Sequence, residues 1–195
     1  MNNCLFCGEY LVIEVTWATF LWRAPSFIIC SNCEEQLVYS KSPDAIYFHN
    51  EFMNDVIHQY KFQQDLRVAH FFAASIRKAI KKRKYDVVIP IPMHPKKEIE
   101  RTFAHVETVL KFANIPFQTV LQKDTEEQQS KKSKKEREQV AQFFSLISGA
   151  SMHGKKIILI DDVMTTGTTM SLARQLLMDA GAEKVEILTF ISGQM

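Results

Sequence analysis

Glycine and proline are scarce, six of each in 195 residues, which excludes collagen-like and low-complexity architectures. No apolar run approaches the roughly 20 residues a membrane helix needs. The longest, residues 10–22, has 13 residues and carries Glu14; its Val, Ile, Thr, Trp and Phe content predicts β-ribbon instead. Met1-Asn2-Asn3-Cys4 leads into no basic-then-hydrophobic signal, so a cytoplasmic protein is expected, at most peripheral to the inner face of the membrane. Neither charge sign dominates: 24 Lys and Arg face 22 Asp and Glu, so any nucleic-acid surface has to be local. Ser-His-Asp, His-Glu-x-x-His and Walker arrangements are missing, which argues against a hydrolase, a metalloprotease and an ATPase. Cysteine is absent after residue 33.

The four cysteines that are present form two C-x-x-C pairs, Cys4/Cys7 and Cys30/Cys33, 22 residues apart. Two intervening residues let both thiolates of a pair converge on one tetrahedral ion. Two such pairs make a closed four-thiolate site with no open position for water, so a structural zinc is expected. Two disulfides or a thioredoxin-like redox pair are the alternatives; disulfides fit poorly without export. A hydrophobic share of 46% suffices for a packed core, and the length suggests one domain plus a small appendage. The Ser42-Pro43 turn divides them: residues 1–42 as a zinc finger and 43–195 as the main domain.

Helices are predicted over 51–61 and 65–84, the second with Val68, Phe72, Ile76, Ala79 and Ile80 as a buried stripe. The run Asp86-Val-Val-Ile-Pro-Ile-Pro reads as a strand buried on both faces. A helix over 97–114 and a strand over 116–121 follow, then a polar stretch, 123–142, without apolar periodicity. A strand at 156–160, a helix at 170–180 ending before Gly181, and a strand at 185–191 complete a βαβ unit with a right-handed crossover. The alternation predicts an α/β domain with a mainly parallel sheet flanked by helices.

The segment Asp161-Asp162-Val163-Met164-Thr165-Thr166-Gly167-Thr168-Thr169 carries the most chemistry. It puts two carboxylates at the C-terminal end of a parallel strand, where open α/β sheets bind ligands. The threonines then open a helix whose free amides and positive dipole end favour an anion, and Gly167 allows close backbone approach. Carboxylates accept hydrogen bonds from vicinal hydroxyls, so a sugar phosphate is the natural ligand. An ordinary threonine-capped turn is the bland alternative.

This segment resembles the PRPP-binding motif of type I phosphoribosyltransferases, a hydrophobic run, two acids, then Thr-Thr-Gly-x-Thr. The resemblance implies that Asp161 and Asp162 take the ribose hydroxyls of PRPP and serve catalysis if the protein is active. It implies that residues 165–169 wrap the 5-phosphate, with Mg²⁺ accompanying the ligand. The pyrophosphate loop would be Met93, His94, Lys96 and Lys97. Together with the cysteines, Tyr60-Lys61, Ile89-Pro-Ile-Pro-Met-His94 and Arg101-x-Phe103, the whole chain resembles the late-competence ComF family. That family joins a phosphoribosyltransferase-like fold to an N-terminal zinc finger. It is associated with DNA uptake in transformable bacteria, alongside a helicase-like competence protein and a membrane DNA channel. This chain has Arg101-Thr-Phe-Ala-His105 where the family has Arg-Gly-Phe-Asn-Gln.

Two basic clusters remain. Arg77, Lys78, Lys81, Lys82, Arg83 and Lys84 close the second predicted helix, either as a solvated helix end or as a phosphate track for single-stranded DNA. That cluster has no interleaved aromatics to stack bases. Lys131, Lys132 and Arg137 lie in the polar stretch, the candidate mobile loop over PRPP. Three functions stay open: a DNA-uptake protein binding PRPP or a related sugar phosphate, an active phosphoribosyltransferase of nucleotide metabolism, and an interaction module with a vestigial site.

Overall fold

The computed structural model describes residues 2–12, 28–123 and 144–193, without the side chains of Pro95, Lys96 and Glu98. From the amino end, helix α1 (Ser31–Glu35) precedes strand β1 (Ala45–Phe48), helices α2 (Glu51–Phe62) and α3 (Leu66–Ile80), and strand β2 (Val87–Pro90). Helices α4 (Pro95–Arg101) and α5 (His105–Phe112) lead to the short strands β3 (Leu121–Lys123) and β4 (Phe144–Leu146). Strand β5 (Lys156–Met164), helix α6 (Thr168–Asp179) and strand β6 (Lys184–Ser192) finish the chain. The main sheet runs β1-β6-β5-β2 with every neighbouring pair parallel, and β3 and β4 form a separate antiparallel pair.

The all-apolar start of β5 is explained by helical layers on both sheet faces. Successive strand residues point to opposite faces, so Ile158 and Ile160 enter a core with α2, α3 and α5. Ile157 and Leu159 enter a second core with α6, Leu121 and Phe144. Caps set the helix starts. Asn50 accepts from the Met53 amide at 2.8 Å, and Asp65 accepts from the Arg67 amide at 3.0 Å.

Three expectations need correction. The single helix over 97–114 is two, broken between Arg101 and His105. Thr102 there takes φ 66, outside the helical region, and the Tyr60 hydroxyl donates to the His105 carbonyl at 2.7 Å. The strand expected over 116–121 starts only at Leu121; ahead of it, the Gln118 amide makes a 2.9 Å bond to the Val88 carbonyl. Strand β1 went unpredicted because four residues, Ala45-Ile-Tyr-Phe48, are too short to show a period.

The cysteine-bearing segment docks on the first core. Leu5 is buried in it, and Phe6 meets Phe52 and Phe71 edge-on at 5.3 and 5.1 Å. Gln59 Nε2 donates to the Leu5 carbonyl at 3.0 Å. Most of the predicted β-ribbon lies outside the described residues; at its margins Asn3 bridges Tyr10 and Cys4 bridges Ile28. Among the described residues no helix is long and apolar enough to cross a membrane.

Candidate functional site

Strand β5 changes character at its C-terminal end, where the apolar run gives way to Asp161 and Asp162. The alternation that splits the two cores also separates the two acids. Asp162 points to the side of α2, where its Oδ2 lies 2.7 Å from Lys61 Nζ in a pair whose side chains are only 16% and 14% exposed. Asp161 accepts from the Asp162 backbone amide at 2.8 Å. Burial, then the neighbouring Asp162 charge, pushes the Asp161 carboxyl above the ordinary carboxylate range; that amide, Lys61 and Lys123 oppose the rise.

The loop beyond them is open to solvent. Thr165, Thr166, Thr168 and Thr169 are all exposed. Gly167 sits at φ 78 as the N-cap of α6. A β-carbon there would come within 3.7 Å of Met164 Sδ, so conformation rather than space calls for glycine. The Thr166 and Thr168 hydroxyl oxygens stand 3.0 Å apart. Val163 packs against the first core and Met164 lies in the second, which leaves their backbone for the expected ligand site.

Facing the acids is a cavity of about 200 Å³ whose other wall includes Met93, His94 and Lys97 from the expected pyrophosphate loop. Lys96 stands in the first turn of α4, its side chain outside the described residues. The cavity also takes in Lys61, Arg101, His105 and Lys123. Nothing in the local sequence assigns Lys61 or Lys123 a separate role, because neither stands next to the acids in the chain. Burial holds the Lys123 ammonium below its usual range, while Asp161 supports its charge. The Arg101 guanidinium lies over the Phe62 ring, 5.2 Å from its centroid. His105 is fully buried, and neither ring nitrogen has a hydrogen-bond partner among the described residues. Burial pushes its pKa down to about 4, so it is neutral at ordinary pH.

A second cluster lies at the amino end. The sulfurs of Cys4, Cys7, Cys30 and Cys33 fall within 4.8 Å of one another. Cys7 and Cys30 sulfurs are 3.7 Å apart, far beyond a disulfide bond of about 2 Å and near the edge of a tetrahedron with metal–sulfur bonds of about 2.3 Å. Burial opposes ionisation of Cys4, yet the backbone amides of Cys30, Cys7 and Phe6 outweigh it and hold the thiol down to about 6. Burial and the other sulfurs push Cys33 up. Four crowded sulfurs cannot all ionise unaided; a divalent cation removes that conflict. The donor set and spacing are consistent with a zinc-binding module.

The basic cluster divides into structural and exposed members. Arg77 donates to the Ala113 and Phe112 carbonyls, each at 3.1 Å. Arg83 reaches Glu186 at 3.3 Å, the Ile187 carbonyl at 3.1 Å and the Pro43 carbonyl. Lys78, Lys81, Lys82 and Lys84 are exposed. Lys131, Lys132 and Arg137 lie outside the described residues.

The chain is similar to known proteins. Residues 60–194 match the family model described as phosphoribosyl transferase domain. The chain is 28% identical over 219 residues to competence protein ComFC of Streptococcus pneumoniae (strain ATCC BAA-255 / R6), covering 97% of this chain and 99% of that protein. Competence protein ComFC of Bacillus subtilis (strain 168) is 26% identical over 226 residues, covering 96% and 94%. Among solved structures, the allosteric regulatory enzyme of purine biosynthesis aligns over 63% of this chain and 26% of its own, with 21% identity and a TM-score of 0.44.

Proposed function

The chain belongs to the phosphoribosyl transferase domain family, and from that premise we propose that its acid pair and threonine loop bind PRPP or a related sugar phosphate in the service of DNA uptake. One observation carries the reading: two partly buried carboxylates end the central strand directly ahead of a solvent-open helix N-terminus with a left-handed glycine. The ribose hydroxyls donate to Asp161 and Asp162, and the 5-phosphate rests on the amides and hydroxyls of residues 165–169. The pyrophosphate lies toward His94, Lys97 and Lys123, which line the same cavity.

Mg²⁺ fits this arrangement as a hard cation that keeps its waters and arrives on the ligand's own oxygens, with two carboxylates at hand and ammonium groups to share the phosphate charge. When bound, it neutralises the pyrophosphate. The protein's residues do the rest. Lys61 keeps Asp162 paired and oriented in the free protein, and Lys123 moderates the charge beside Asp161. The four cysteines hold a structural zinc that fixes the segment bearing Leu5 and Phe6 against the main domain.

The DNA-uptake part of the reading is supported by the end-to-end likeness to two proteins named competence protein ComFC. In that role the chain handles incoming single-stranded DNA in the cytoplasm, peripheral to the membrane and beside a helicase-like partner and a DNA channel. The test is genetic. A transformable strain lacking the gene is complemented with wild type or with Asp161→Asn/Asp162→Asn, and transformation frequency is scored at matched protein levels. The variant is expected to stay near the deletion strain; wild-type frequency from the variant refutes a role for the acid pair in uptake.

A further inference from the structure

Tyr39 is 66% exposed, yet its ring is not loose. It stacks on Tyr47, with centroids 5.3 Å apart and 27° between planes. Tyr47 stacks in turn on Phe71 at 5.3 Å and 22°. The two inner rings are buried, and the Tyr47 hydroxyl is fixed to Ser75 Oγ at 2.7 Å. Backbone bonds on either side of Tyr39, Phe48 amide to Val38 carbonyl at 2.8 Å and Ser40 amide to Ile46 carbonyl at 3.0 Å, hold its chain in place. The result is a three-ring column whose outermost ring meets water.

A groove of about 430 Å³ runs beside that ring, and Lys78, Lys82 and Arg83 line it along with Tyr39. Every charged residue of its lining is basic. Lys78 and Lys82 are exposed, four residues apart at the end of α3, with no ion pair among the described residues. Arg83, committed to Pro43, Ile187 and Glu186, builds the wall. This groove shares no lining residue with the cavity that holds the acid pair.

An open-ended aromatic column accepts one more flat π-face, and two ammonium groups with no ion pair among the described residues accept anions beside it. An unpaired nucleotide strand offers both; a duplex hides its base faces. We propose that the Tyr39–Lys78–Lys82 groove binds single-stranded nucleic acid, one base stacking on Tyr39 and the flanking phosphates pairing with Lys78 and Lys82. The aromatic that the basic cluster lacks in sequence is delivered by the fold, from a segment preceding β1. The inference rests on the reading that the chain handles single strands, and it assigns the place where it does so.

The test is anisotropy of a fluorescein-labelled oligothymidine titrated with the zinc-loaded full chain across a salt series, with thermal unfolding as a fold control. Tyr39→Ala is expected to weaken binding about tenfold or more, and Tyr39→Trp to keep or tighten it, as loss and rescue of one stacked base require. Lys78→Ala with Lys82→Ala is expected to weaken binding and to lower the slope of log K against log salt by about 0.7 for each phosphate no longer neutralised. If wild type binds and Tyr39→Ala binds equally well, the groove is not the site, while single-strand handling stands. If duplex of equal length competes as well as single strand, stacking is refuted. If wild type fails to bind at low salt, the underlying reading itself fails.

Discussion

Asp162 sits in a partly buried position on strand β5 with Lys61 reaching it from helix α2, at 2.7 Å. Removing one member of such a pair leaves a charge with reduced hydration and no partner, which costs about 3–5 kcal/mol when fully buried. With both side chains about 15% exposed, Lys61→Met is expected to lose about 2 kcal/mol in urea unfolding. Asp162→Asn in that background should recover part of the loss, so a double-mutant cycle reads the coupling directly. Asp161 and His105 pull stability in opposite directions with pH. Asp161, raised by burial and the Asp162 charge, holds a proton the unfolded chain has released, so its contribution falls as pH rises from the ordinary carboxylate range through its raised value. His105, lowered to about 4 by burial, resists a proton the unfolded chain accepts, so stability is lost as pH falls from 6.5 toward 4. His105→Leu removes that loss, about 3 kcal/mol from the size of the shift, and also removes two unpartnered buried nitrogens. It is expected to unfold at higher urea than wild type at pH 5, with the gap narrowing at pH 8; an equal gap at both values would show that the imidazole does not titrate as described.

Elements differ in how much of them the sequence reveals. Strand β5 and helix α6 are legible because an unbroken apolar run, two acids and a threonine–glycine turn each follow from local rules of burial and capping. The break between α4 and α5 is not, since it depends on Thr102 adopting φ 66 while Tyr60 and Phe103, 5.4 Å apart, pack from separate elements. Lys61 and Lys123 escape for the same reason: they reach the acids only through the fold, from the end of α2 and the end of β3. Val163 packs against the first core and Met164 lies in the second, the reverse of the alternation from Ile157 to Ile160, and no local pattern announces that reversal. At the α6 start, Gly167→Ala meets no clash but forces a left-handed alanine. It is expected to lose about 1 kcal/mol of stability and to reduce Mg-PRPP stabilisation, measured as the ligand-induced shift in Tm.

At the scale of the molecule, the cysteine cluster is tied to the domain core through Leu5, Phe6 and Gln59. A segment this small folds best around a metal; with the proposed zinc on its four sulfurs, chelation is expected to lower the Tm of the whole chain, with about one zinc released per protein. A chelated protein with unchanged Tm would mean that the sulfurs support no structural metal. The same long-range assembly brings two arginines of the basic cluster into structural bonds and leaves its lysines outside. Near-neutral net charge therefore coexists with local sites of opposite character. The central claim, that the acid pair and threonine loop form a sugar-phosphate site, is tested most directly by thermal unfolding with and without Mg-PRPP. Wild type is expected to gain several degrees at saturating ligand, and Asp161→Asn/Asp162→Asn, still folded, to gain none. No shift in wild type, or an equal shift in the variant, would contradict it.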